Sequence, residues 1–128
     1  GFARRFEETG AAVNRLVLGT INYLAPELLV SALRADATSD IFSLGVVLFE
    51  MLAGHAPLAA RNLSDLLRMH NEYRAPNLRA IRPDMPVELS TLVRQMLSRE
   101  PLRRPESASE VVERLIRLEI ETLADRAA

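Results

Sequence analysis

Thr38-Ser39-Asp40-Ile41-Phe42-Ser43-Leu44-Gly45-Val46-Val47-Leu48-Phe49-Glu50-Met51-Leu52-Ala53-Gly54 is the stretch that decides the fold. From Ile41 to Leu52 only Ser43 and Glu50 break an otherwise apolar run. A bilayer span takes about 20 apolar residues, so the run predicts a buried helix rather than a membrane segment. Thr38 or Ser39 offers the N-cap, and Gly54 with Pro57 soon after offers the stop. The apolar side chains point in nearly every direction around the axis. Such a helix expects cover on all sides.

Helical signals continue on both flanks. Pro26 opens a short helix through Leu29, since proline is tolerated in a first turn. Asn62 or Ser64 caps another, with Leu63, Leu66, Leu67 and His70 on one face. Pro86 begins the next, where Leu89, Leu92, Val93, Met96 and Leu97 repeat at helical spacing. The last is the best specified: Ser107 and Glu110 form a capping box ahead of Val111, Val112, Leu115, Ile116 and Leu118. Glu110 with Arg114, and Glu113 with Arg117, stand at the spacing of i,i+4 ion pairs. The connector 71–85, with Asn71, Pro76 and Pro83, reads as irregular. Residues 1–24 show no helical period and read as a loop arm. The expected fold is mainly α, five helices behind that arm.

A chain of 128 residues holds one domain at most. Sixteen basic residues face 17 acidic ones for a net charge of −1, so there is no electrostatic case for nucleic acid. With no Cys, disulfides, thiolate metal sites and Cys nucleophiles are excluded. Every basic residue is Arg; the absence of Lys excludes a Schiff base and a phosphate-binding lysine within this chain. His55 and His70 are isolated in sequence, which speaks against zinc and leaves both as partly exposed bystanders. No N-terminal signal stands out, and the opening Gly1-Phe2 reads as an internal piece of a longer chain.

The loops between the helices carry more. Gly19-Thr20-Ile21-Asn22-Tyr23-Leu24-Ala25-Pro26-Glu27 is followed thirteen residues on by Asp40-Ile41-Phe42-Ser43-Leu44-Gly45. A third block, Leu97-Ser98-Arg99-Glu100-Pro101-Leu102-Arg103-Arg104-Pro105, comes later. In this order and spacing the three resemble the C-terminal half of a protein serine/threonine kinase catalytic domain of bacterial type. The resemblance covers the chain to about residue 118. It implies the helical C-lobe part of the kinase-like α+β fold, with an activation segment at 1–27, C-lobe helices at 28–118 and a helix end or tail at 119–128. Gly1 is then the glycine of the Asp-Phe-Gly motif, and Ala25-Pro26-Glu27 closes the segment.

Roles follow by resemblance, position by position. Glu27 and Arg104 match the ion pair that braces the end of the activation segment, a structural role. Thr20 matches the threonine that helps orient the catalytic aspartate and the substrate hydroxyl, an accessory part; Tyr23 matches a residue lining the substrate-peptide groove. Asp40 matches an aspartate holding the catalytic-loop backbone, a loop absent from this chain; a plain helix-capping role reads as well. Ser43 and Gly45 read as packing residues. Thr9 is the phosphosite candidate, with Arg4, Arg5 and Arg15 near in sequence but Glu7 and Glu8 opposing, and Thr9-Gly10 reads equally as a turn.

The parent reaction implied is transfer of the γ-phosphoryl of MgATP to Ser or Thr of proteins. No Gly-rich phosphate loop, Lys, His-Arg-Asp loop or Mg²⁺-binding aspartate of that kind is in this chain, so it is expected to hold no cofactor and be inactive alone. Expected partners are the upstream kinase lobe with its catalytic loop and protein substrates. Self-association of the fragment is a further expectation, as is a cytoplasmic location. The alternative is a non-catalytic helical interaction module derived from a kinase lobe.

Overall fold

The computed structural model describes residues 23–30, 36–72 and 76–127. Among them the fold is mainly α, without a strand. In chain order the elements are α1 (Pro26–Val30), α2 (Ala37–Ala53), α3 (Leu63–Glu72), α4 (Leu78–Ile81) and α5 (Val87–Met96). A 3-10 turn (Pro101–Arg103) and α6 (Ala108–Ala127) complete the fold.

Helix α2 is the axis of the molecule, packed against α5, α4 and the 3-10 turn, while α6 lies on α5 and α3 on α1. Phe42, Val46 and Phe49 are fully buried on it and pack with Val93 of α5, Leu97 at the end of that helix, Leu78 of α4, Met85 and Ala25. A second cluster joins Ile41 to Leu92, Met96 and Val111, and a third joins Leu58, Ala60 and Leu66 under α1 and α3. Gly45 sets how closely α2 and α5 approach: a Cβ there would lie 2.8 Å from Cβ of Met96 and 3.3 Å from a methyl of Leu97. The all-round cover that composition implies for α2 is incomplete. Asp40, Leu44, Val47 and Met51 fall on one helical face and are exposed, Met51 by 75%.

Several local expectations are corrected. The α2 cap is Asp36, not Thr38 or Ser39: its Oδ1 accepts the N–H groups of Thr38 (2.8 Å) and Ser39 (3.2 Å). Ser39 Oγ in turn accepts the Asp36 N–H, closing a capping box one turn earlier than the apolar run suggests. The helix stops at Gly54, whose φ of 84° suits a residue without Cβ. For α3 the cap is Asn62, accepting from Asp65 N. Its buried face turns on Leu66 and His70, which meet the Leu58–Ala60 loop with Leu29 and the Phe42 ring, while Leu63 and Leu67 are exposed. His70 is therefore no exposed bystander: it is 3% exposed, its ring 6.0 Å from that of Phe42. His55 is exposed, its ring edge-on to Phe49.

The connector 71–85 is not wholly irregular. Asn77 accepts from Arg79 N and starts the four-residue α4, which brings Leu78 into the core. Of the stripe that spacing predicts, Leu92, Val93 and Met96 of α5 and its C-cap Leu97 are buried, and Leu89 is half-buried. In α6, Ser107 accepts from Glu110 N, and Val111 is buried with Leu115 and Leu118 half-buried. Val112 and Ile116 instead face solvent, since α5 covers only one narrow side of that helix. Arg114 reaches across to Gln95 Oε1 (2.5 Å), and Glu110 accepts the backbone N–H of Glu106 (2.7 Å). Contacts outside the helix thus occupy both members of the expected Glu110–Arg114 pair.

Candidate functional site

Among the described residues, the densest polar constellation forms where α1, the start of α2 and the 98–104 loop meet. The Arg104 guanidinium, 4% exposed as a residue, presents both terminal nitrogens to Glu27: Nη1 to Oε2 at 2.7 Å and Nη2 to Oε1 at 2.8 Å. Its other donors are also used. Nη1 donates to Thr38 O (3.0 Å), Nε to Ser98 O (2.8 Å) and Nη2 to Arg99 O (3.4 Å). All five N–H groups of the fork therefore meet an oxygen, a geometry that lysine's single ammonium does not offer. The Arg104 guanidinium carbon also lies 5.0 Å from the centre of the Phe42 ring.

Local sequence explains the arrangement. Pro26 starts α1 at once after Ala25, which is fully buried, so Glu27 enters the helix in its first turn. The Asp36 cap fixes Ser39 in the first turn of α2, and Ser39 Oγ donates to Glu27 Oε2 at 3.0 Å. Pro101 and the 3-10 turn fold the 98–104 loop so that Ser98 and Arg99 turn their carbonyls toward Arg104. Burial on its own would raise the Glu27 carboxyl, but the hydrogen bonds from Arg104, the backbone and Ser39, with the charge of Arg104, hold it below the usual carboxylate range.

Tyr23 sits two residues before Ala25, half-buried against the core. Its hydroxyl donates to Glu50 Oε2, and its carbonyl accepts from Ser43 Oγ at 2.6 Å. The hydrogen bond to Glu50, together with burial and the nearby carboxylate charge, raises the phenol above its ordinary value. Both ends of the residue are tied to α2. Asp40 is exposed, in the first turn of α2, on the same face as Leu44 and Val47. Thr20 and Thr9 lie outside the described residues.

Glu50, Ser39 and His70 take part in this site without a site role legible in the sequence. Glu50 had a signal: it is the one acid inside the apolar run of α2. Ser39 reads in sequence only as a cap, and His70, though on the apolar face of its helix, reads there as a bystander. Burial lowers the His70 imidazole, which Glu27 partly offsets and Arg104 and Arg99 reinforce.

With this geometry in place, the chain's likeness to known proteins is specific. The protein kinase domain family matches residues 1–115. Serine/threonine-protein kinase A of Synechocystis is 30% identical over 126 residues, 97% of this chain and 24% of that protein. Serine/threonine-protein kinase PknB of Mycolicibacterium smegmatis is 35% identical over 121 residues, 92% of this chain and 19% of the relative. Serine/threonine-protein kinase PrkC of Bacillus subtilis is 29% identical over 111 residues, 87% and 17% respectively. The chain thus spans less than a quarter of the length of these relatives. Matched along residues 1–115, it belongs to the protein kinase domain family.

Proposed function

We propose that this chain is the helical C-lobe portion of a serine/threonine protein kinase catalytic domain. Residues 1–27 are its activation segment, beginning at the glycine of Asp-Phe-Gly; 28–118 are the substrate-side helices, and 119–128 the helix end and tail. The parent enzyme transfers the γ-phosphoryl of ATP to Ser or Thr hydroxyls of proteins. The observation that carries the reading is the buried fork of Arg104 on Glu27, 77 residues apart in sequence. A fork of this kind fixes the end of a long segment against helices that fold elsewhere in the chain. Tyr23, held at its hydroxyl and its carbonyl, is a second anchored residue, and in sequence it follows Thr20, proposed to orient the substrate hydroxyl, by three positions.

MgATP supplies the phosphoryl group and the metal charge in the parent, and this chain's own residues do not fit it. The sequence has no Lys, and among the described residues no three His, Cys, Asp or Glu side chains group as cation ligands. The role proposed here is positioning. The open face of α2, with Asp40 among Leu44, Val47 and Met51, is where an upstream helix and the catalytic loop would lie.

A chimera tests this reading. Residues 1–118 replace the matching segment of the Mycolicibacterium smegmatis relative, and phosphate transfer to a basic protein is followed. Transfer well above that of the mock preparation is expected, with loss on Glu27→Ala. A chimera that melts cooperatively and binds ATP yet transfers nothing overturns the proposal. The coding sequence ahead of Gly1 offers a second check: an in-frame His-Arg-Asp loop and Asp-Phe are expected there.

A further inference from the structure

Helix α3 spans Leu63–Glu72, and Arg99 reaches its last residues from outside the helix. Its Nη1 donates to Asn71 O at 2.8 Å and to His70 O at 3.3 Å, across 28 and 29 residues of sequence. A cation at a helix C-terminus also suits the helix dipole. The backbone of the same residue is engaged on the other side, because Arg99 O accepts from Arg104 Nη2 and Ser98 O from Arg104 Nε. Arg104 in turn grips Glu27 of α1. A single continuous path of charged hydrogen bonds therefore runs from the end of α3, through the 98–104 loop, to Glu27. A second contact closes the circuit: the His70 ring and the Arg104 guanidinium both lie against Phe42.

We propose that Arg99 is a positioning residue that couples the C-terminal turn of α3 to the Glu27 anchor, so that loosening either end loosens the other. The stiffness of the path comes from its parts. Arg104 is buried with every donor used, and the Pro101 turn holds Ser98 and Arg99 at fixed separation from it. Helices α1 and α3 also touch directly, through Leu29 near Leu66, so a bare packing route competes with the Arg99 route. The two routes differ in what an Arg99 substitution does. Its bearing on phosphoryl transfer rests on the reading of residues 1–27 as an activation segment; the coupling itself does not.

Amide hydrogen exchange of the full chain at low micromolar concentration separates the cases. Arg99→Ala is expected to speed exchange of the amides at 69–72 on the order of tenfold, as loss of hydrogen bonds from a charged donor implies. It should also speed exchange at Leu28, whose N–H bonds Ala25 O, by about fivefold, the lower end of typical site-to-site coupling. Arg99→Lys should restore most of both effects. Coupling is reciprocal, so Glu27→Gln, which leaves Arg99 intact, should speed exchange at 69–72. Acceleration at 69–72 alone after Arg99→Ala makes the residue a simple cap and overturns the coupling. If the alanine variant exchanges everywhere at one rate, the lysine and Glu27→Gln variants decide: an unchanged 69–72 segment in Glu27→Gln overturns it equally. A chimera inactive in phosphoryl transfer leaves this exchange result untouched, so the two proposals fail separately.

Discussion

Removing either partner of the Glu27–Arg104 pair leaves the other charge buried, and the cost follows from the contacts. Stranding one member of a buried pair costs about 3–5 kcal/mol. The two substitutions are not equivalent. Glu27→Ala leaves Arg104 with carbonyl partners at Thr38, Ser98 and Arg99. Arg104→Ala leaves Glu27 with Ser39 Oγ and deprives those three carbonyls of their donor, besides emptying the space beside Phe42. Arg104→Ala should therefore lie at or above the upper end of that range and Glu27→Ala near the lower end. In the double variant no charge is stranded, so the sum should fall short by about 2–3 kcal/mol. Urea unfolding followed by circular dichroism, with all four proteins, measures the cycle. A pH series adds an independent arm. The Glu27 carboxyl is held low in the folded chain, so its contribution is present above the ordinary carboxylate pKa of about 4.3 and is lost as pH falls through and below it. Glu27→Ala should flatten that acid limb. Two single effects of a few tenths of a kcal/mol that simply add would refute the reasoning, because they would mean that the charges are solvated.

For His70, burial depresses the imidazole pKa, so the unfolded chain binds the proton first; stability should fall as pH drops below about 6.5, and His70→Leu should remove that slope in melting curves between pH 7.5 and 5.5. Gly45→Ala places a methyl 2.8 Å from Met96 Cβ on an adjoining helix, and should cost about 1–3 kcal/mol by denaturant titration even though alanine favours helix. Asp36→Ala removes acceptors from Thr38 and Ser39 N–H groups and should cost about 1 kcal/mol, whereas Thr38→Ala, which leaves the cap in place, should cost less in the same titration.

Elements governed by local chemistry were legible in the sequence. The C-stop at Gly54 and the stripe of α5 follow from φ preference and from 3.6-residue periodicity, and both lie where the residues indicate. What escaped was set by long-range packing. Asp36 and Ser39 form the cap because the chain enters α2 one turn before its apolar run begins, and composition marks only the run. His70 and Leu67 were assigned to one face, yet only His70 is buried, because α3 meets its neighbours along the Leu66–His70 side. Periodicity says that a helix has a face; it does not say how wide the covering surface is. The same limit applies to Val112 and Ile116 on α6.

The site divides along the same line. Glu27 and Arg104 were picked out by resemblance of three short blocks, with nothing local to either residue requiring that they meet. Their donors and acceptors became countable only in the folded chain, where the carbonyls of Thr38, Ser98 and Arg99 complete the fork. Glu50 shows the converse. An acid inside an apolar run is costly to bury unless paired, and that cost is itself a sequence signal that a partner exists. Spacing could not say that the partner was the Tyr23 hydroxyl, 27 residues earlier. The exposed row of Leu44, Val47 and Met51 obeys the same logic with the sign reversed. Exposed apolar surface on the helix that otherwise organises the core costs free energy at about 25 cal/mol per Å². Such a helix therefore has reason to acquire cover on that side.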